Sequence, residues 1–105
     1  SPPEQAWLEL LAVVPDRISL EHAENILQGL TQLSPQRLSS LLRDCRHVKV
    51  KRVFFWLADR QSHPWRKKLD PKSFDLGAGK RSLTKGGKLD PLYQITVPQE
   101  MLHEH

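Results

Sequence analysis

The sequence predicts an α+β domain, with about four helices in residues 2–61 followed by loops and a small antiparallel β-sheet or hairpin. Two observations carry this. Apolar residues recur at helical spacing up to about residue 61, whereas near the C-terminus they alternate with period two. Between the two regimes, Pro64, Pro71, Gly77 and Gly79 break any regular pattern.

Ser1-Pro2-Pro3-Glu4 has the form of a helix start, with a capping serine, prolines in the first turn and a glutamate three residues on. Ala6, Trp7, Leu10, Leu11 and Val14 then fall on one face, and Pro15-Asp16 stops the helix. Ser19-Leu20-Glu21-His22 is a second capping signal ahead of Leu20, Ala23, Ile26, Leu27 and Leu30. Gly29 predicts close packing or an early end to that helix. Ser34-Pro35 opens a third helix, with Leu38, Leu41, Leu42 and Cys45 as its buried stripe.

The alternation Val48-Lys49-Val50-Lys51 fits a strand, but Val50, Val53, Phe54 and Leu57 fit a helical face better. A helix over about His47–Gln61 is expected, presenting Lys49, Arg52, Trp56 and Arg60 away from the strongest apolar stripe. Phe54, Phe55 and Trp56 cannot all face one side, so burial on more than one flank, with these aromatics as core, is expected too. Trp65–Leu69 reads as one short turn, and Asp70-Pro71 and Gly77–Gly79 read as loop. Arg81–Thr84 and Tyr93–Val97 are the strand candidates, linked by Lys85–Leu92. Pro98 ends the second, leaving a short tail. The expected core includes Trp7, Leu10, Leu11, Ile26, Leu27, Leu41, Leu42, Phe54 and Leu57.

At 105 residues the chain suits a single domain, helical over 1–62 and loop-and-strand over 63–105. An apolar content of 38% excludes wholesale disorder, and the longest apolar run, Val53–Ala58, is too short to span a bilayer. No membrane partner and no secretory signal are expected. The start at Ser1 rather than Met reads as an excised fragment or a processed product. The single cysteine, Cys45, fits a reducing cytoplasm. Arg43, Arg46 and His47 beside it could activate the thiol, although a small packed residue near a helix end is the simpler reading.

No metal and no cofactor is expected, because no histidine pairs with cysteine or carboxylate at a ligand-like spacing, and His103-x-His105 is terminal. Gly77-Ala78-Gly79-Lys80-Arg81-Ser82 resembles a phosphate loop only superficially. The nucleotide pattern needs glycine where Phe74 stands and Ser or Thr where Arg81 stands. As a nest of backbone N–H groups with Lys80 and Arg81 it could still meet a phosphate. Asp59, Asp70, Asp75 and Asp90 each lie near Lys or Arg, so ion pairing is their default, and no nucleophile–base set points to an enzyme.

Charge is the strongest functional signal. The overall net charge is +4, but residues 1–42 carry −3 and residues 43–105 carry +7. Lys49, Arg52, Arg66, Lys67, Lys68, Lys80, Arg81, Lys85 and Lys88 are the candidate contacts to nucleic acid or a partner. Trp65 and Tyr93 interleave them, for stacking on bases or packing beneath lysine stems.

A set of short motifs in order resembles the C-terminal region of the AbiEi antitoxin family. They are Val48-Lys49-Val50-Lys51-Arg52-Val53-Phe54, His63-Pro64-Trp65, Lys68-Leu69-Asp70, Asp75-Leu76-Gly77-Ala78-Gly79-Lys80-Arg81, Lys85-Gly86-Gly87-Lys88-Leu89-Asp90 and Tyr93-Gln94-Ile95-Thr96-Val97-Pro98. Ser1-Pro2-Pro3-Glu4-Gln5-Ala6 and Glu9-Leu10-Leu11 are similar to the start of that region. The resemblance implies a non-catalytic antitoxin module of a type IV toxin–antitoxin transcriptional regulator. It implies promoter DNA as partner through a winged-helix domain that this chain lacks, and a nucleotidyltransferase-like toxin as functional partner, with no direct binding assumed. A nucleic-acid-binding module without sequence readout and an oligomerisation domain stand as alternatives.

Overall fold

The computed structural model describes residues 2–103, so the Ser1 cap and His105 lie outside the described residues. Four helices come first: α1 (Pro3–Ala12), α2 (Leu20–Gln28), α3 (Pro35–Asp44) and α4 (Val48–Ala58). Two 3-10 turns, Arg66–Lys68 and Pro71–Ser73, lead to β1 (Arg81–Ser82), β2 (Lys88–Leu89) and β3 (Ile95–Val97), and a last 3-10 turn covers Gln99–His103. The α+β class is as expected.

The capping chemistry explains two helix starts directly. Ser19 accepts the His22 N–H at 3.0 Å and Ser34 accepts the Arg37 N–H at 3.2 Å. Gly29 is the C-cap of α2, so it marks an early end. Glu4 reaches beyond its own helix. It is buried and accepts the Ser34 N–H at 2.7 Å, joining α1 to the start of α3.

Helix α4 is the central element, with every residue from Val50 to Ala58 buried. Phe54, Phe55 and Trp56 are core, as expected of a helix buried on more than one flank, whereas Arg52, expected to face away from the apolar stripe, is enclosed as well. The second half of the chain folds over what would have been α4's open flank. Phe55 packs edge-on to Phe54 at 5.0 Å and stacks with Tyr93 at 6.2 Å. Trp7, Leu11, Leu27, Leu42, Phe54 and Leu57 are buried as expected, while Leu10, Ile26 and Leu41 are half-buried at its edge. Among the described residues the exposed large apolar side chains are Leu89 and Leu92, so the helical stripes are covered by this chain itself.

The sheet is mixed, in the order β1-β3-β2. β1 pairs parallel with β3, with Arg81 opposite Ile95, and β2 pairs antiparallel with β3, with Lys88 opposite Val97. The segment expected as a bare link therefore contributes a strand. Gly87 makes this possible: a Cβ there would overlap the Val97 carbonyl oxygen, so only glycine lets the turn lie against β3. The alternation at Tyr93, Ile95 and Val97 is realised as burial of all three. Beyond Pro98 the chain tucks Met101 into the core rather than trailing as a tail.

Candidate nucleic-acid interface

The nine cationic candidates divide by what their side chains already hold. Lys49 is half-buried, and its ammonium donates to the carbonyls of Leu11 at 3.1 Å, Ala12 at 3.0 Å and Val14 at 2.5 Å. It thus caps the C-terminal end of α1, where a cation meets the negative end of the helix dipole. Burial lowers its pKa, and the nearby Asp16 carboxylate partly restores it.

Arg52 is only 3% exposed. Its Nε donates to the Leu76 carbonyl at 2.7 Å and its Nη1 to those of Gly79 at 2.7 Å and Gln94 at 3.4 Å. Burial, and then repulsion from Arg81, lowers its pKa. The guanidinium thus anchors the glycine loop and the approach to β3 from beneath. Gly77 completes that anchorage: with φ +71°, a Cβ there would lie 2.9 Å from Val48 Cγ2. The loop turns several carbonyls inward, towards a cation.

Arg66 is also engaged. Its Nε donates to Asp59 Oδ1 at 2.7 Å, its Nη1 to the Leu69 carbonyl at 2.8 Å, and its plane covers the Phe55 ring at 5.1 Å. The Tyr93 hydroxyl donates to the other Asp59 oxygen at 2.5 Å. Burial, and secondarily that hydrogen bond, pushes the phenol pKa above its ordinary range. Trp65 is buried and donates to the Leu30 carbonyl at 2.8 Å. Both aromatics are therefore core, and base stacking on them is replaced by packing. Of the four aspartates read as ion pairs, Asp59 pairs with Arg66, whereas Asp70, Asp75 and Asp90 accept the backbone N–H groups of Lys72, Gly77 and Tyr93. They are turn caps, a role that Asp favours through its short acceptor side chain.

Lys67, Lys68, Lys80, Arg81, Lys85 and Lys88 are exposed. Lys68 joins Arg43 along an open cleft of about 650 Å³ floored by Ser34, Pro35 and Ser39. Arg81 and Lys49 meet in a second cleft of about 350 Å³, with Arg46 and His47. Arg43, Arg46 and His47 were legible in the sequence only as neighbours of Cys45. That thiol is half-buried at the C-cap of α3, 3.7 Å from the His47 carbonyl oxygen. The basic run between α3 and α4 is the signal that would have brought them into the set. Among the described residues no three His, Cys, Asp or Glu side chains gather as a metal site, and no helix is long and apolar enough to cross a membrane.

The sequence model of a family described as "Transcriptional regulator, AbiEi antitoxin, Type IV TA system" matches residues 1–98. Neither a curated protein nor a solved structure matches the chain.

Proposed function

The chain belongs to the AbiEi antitoxin family of type IV toxin–antitoxin transcriptional regulators, and from that premise we propose that it is a non-catalytic antitoxin module that assists DNA binding. It acts alongside a winged-helix domain outside this chain and opposes a nucleotidyltransferase-like toxin without a stable complex being required. The family match carries the antitoxin half of this reading. The exposed cations at Lys67, Lys68, Lys80, Arg81, Lys85 and Lys88 support the DNA half. Among the described contacts the five lysine side chains hold no partner and Arg81 keeps its Nε and Nη2 unbonded, so their charges are available to phosphates. Such contacts position a protein on a duplex without reading its sequence.

The test is co-expression of the cognate toxin with this chain, beside a folded Lys80→Glu/Lys85→Glu variant. Growth rescue by the chain and its loss in the variant support an antitoxin surface on the loops. A folded chain that never rescues, while a longer protein containing the preceding domain does, overturns autonomous function.

A further inference from the structure

Between the start of α4 and the outer edge of β1 lies a cleft of about 350 Å³ whose lining includes Arg46, His47, Val48, Lys49 and Arg81, and no carboxylate. Its cations arrive from two distant segments. Arg46 and His47 come from the break between α3 and α4, and Arg81 comes from the first strand. The register brings them together: Arg81 is opposite Ile95, hence on the helix-facing side of the sheet, at an edge strand beside α4. Arg81 Nη1 donates to the carbonyls of Ala78 at 3.2 Å and Lys80 at 3.3 Å, which fixes the guanidinium at the cleft. Among the described contacts its Nε and Nη2 are left for an outside ligand.

The charge balance here is one-sided. Lys49 has its three donors turned to the end of α1, so it contributes field rather than hydrogen bonds to the cleft. Asp16 faces Lys49, and Asp75 is committed to the Gly77 N–H. The first turn of α4 contains no acidic residue, and His47 at the N-cap offers no side-chain hydrogen bond. The start of α4 thus shares its cleft with cations and no carboxylate, the reverse of what helix starts favour. A bound anion would relieve both features at once.

We propose that this cleft is a phosphate-binding site, in which Arg46, His47 and Arg81 hold phosphate oxygens beside the first-turn N–H groups of α4. The volume is at the lower end of the roughly 300–1,000 Å³ typical of ligand clefts, which suits one phosphate and part of an attached sugar. This rests on the nucleic-acid reading above for the source of the phosphate, the backbone of a DNA duplex; a free phosphate offers the same chemistry.

The experiment is a pair of amide-resolved NMR titrations of the whole chain, one with inorganic phosphate and one with a random-sequence duplex. Arg46→Gln, Arg81→Gln and a Lys72→Gln control, an exposed cation outside the cleft, follow, each checked for an unchanged fold by its remote amide shifts. Phosphate should move the Val48, Lys49 and Val50 amides, and each arginine variant should weaken that response about tenfold, as expected for losing a charge-assisted hydrogen bond. The control should respond to phosphate as the parent does. If the duplex moves the same amides, the DNA backbone is the source. If phosphate moves them and the duplex does not, the site stands and the DNA source is overturned. If the duplex binds through Lys80, Lys85 and Lys88 while these amides stay still under both ligands, the cleft is overturned and the DNA reading survives. Silence under both ligands overturns both.

Discussion

In the helical half, Leu11, Leu27, Leu38, Leu42, Val53 and Phe54 lose all contact with solvent, whereas residues 71–92 contribute no buried side chain. That loop segment is fixed by polar ties. Arg52 reaches up from α4 to the carbonyls of Leu76 and Gly79, Asp70, Asp75 and Asp90 close turns, and Thr96 Oγ1 accepts the Leu83 N–H at 2.9 Å. The contrast teaches that a basic residue in this chain can have either of two duties. Lys49 and Arg52 on α4 hold carbonyls of remote segments and Arg66 and Arg81 hold carbonyls close by, while Lys67, Lys68, Lys80, Lys85 and Lys88 remain turned to solvent. The charges that hold the fold are thus largely different from the lysines proposed to meet phosphates.

The comparison breaks first in the core. Leu11→Ala or Leu42→Ala should each cost about 2–5 kcal/mol, because both side chains are fully buried and leave a cavity that the neighbouring helices fill only in part. Denaturant melts check this, and values under about 1 kcal/mol for both would show that the helical faces do not bear the stability. Arg52→Met comes next. It removes the donor from the Leu76 and Gly79 carbonyls, and an unpaired buried acceptor costs about 1–3 kcal/mol. Hydrogen exchange should show the Arg81 amide, which donates to the Gln94 carbonyl, losing protection before the amides of α1 or α3. Equal loss across the chain would mean that Arg52 supports the core rather than the loop.

The two duties also mark how far the sequence could be read. Ser19 and Ser34 announced their helices because an N-cap is a local interaction within three residues. Val50, Val53, Phe54 and Leu57 announced α4 because helical spacing is likewise local. What α4 does with Lys49 and Arg52 could not be read, since their acceptors lie at Leu11, Ala12 and Val14, and at Leu76 and Gly79. A basic residue that holds a remote carbonyl has the same one-dimensional signature as one that binds phosphate. The strand at Lys88–Leu89 was hidden for a related reason: two residues give no period, and their pairing depends on Gly87 passing close to Val97. Met101 closed over the core by a non-local contact of the same sort.

A smaller effect is expected at the junction of the two halves. Tyr93→Phe removes the hydroxyl that bonds Asp59 and should cost about 0.5–1.5 kcal/mol in a melt at neutral pH. The parent should also show a specific alkaline behaviour. Because the folded phenol is raised, the native state keeps its proton where the unfolded chain has begun to lose it. The associated stability is fully present below the unfolded phenol value of about 10 and is lost as pH rises beyond it. Melts of parent and Tyr93→Phe from pH 8 to about pH 11 should converge; a constant gap would show that the phenol's burial has no energetic coupling to its ionisation.

The smallest expected change in stability carries the most functional weight. Lys85 and Lys88 are exposed on the turn and edge strand that follow the glycine loop. Neither has a hydrogen bond or ion pair among the described contacts, so Lys85→Glu/Lys88→Glu should leave the melting free energy within about 0.5 kcal/mol of the parent. If the loop cations meet phosphates, the double variant should nevertheless bind a random duplex more weakly. Each phosphate contact that is lost should also flatten the dependence of log K on log salt by about 0.9. A variant that is destabilised by more than about 1 kcal/mol would show that the loops bear structure after all. An unchanged salt slope in a fully stable variant would move the phosphate contacts away from these lysines, towards Arg46, Arg81 and the start of α4.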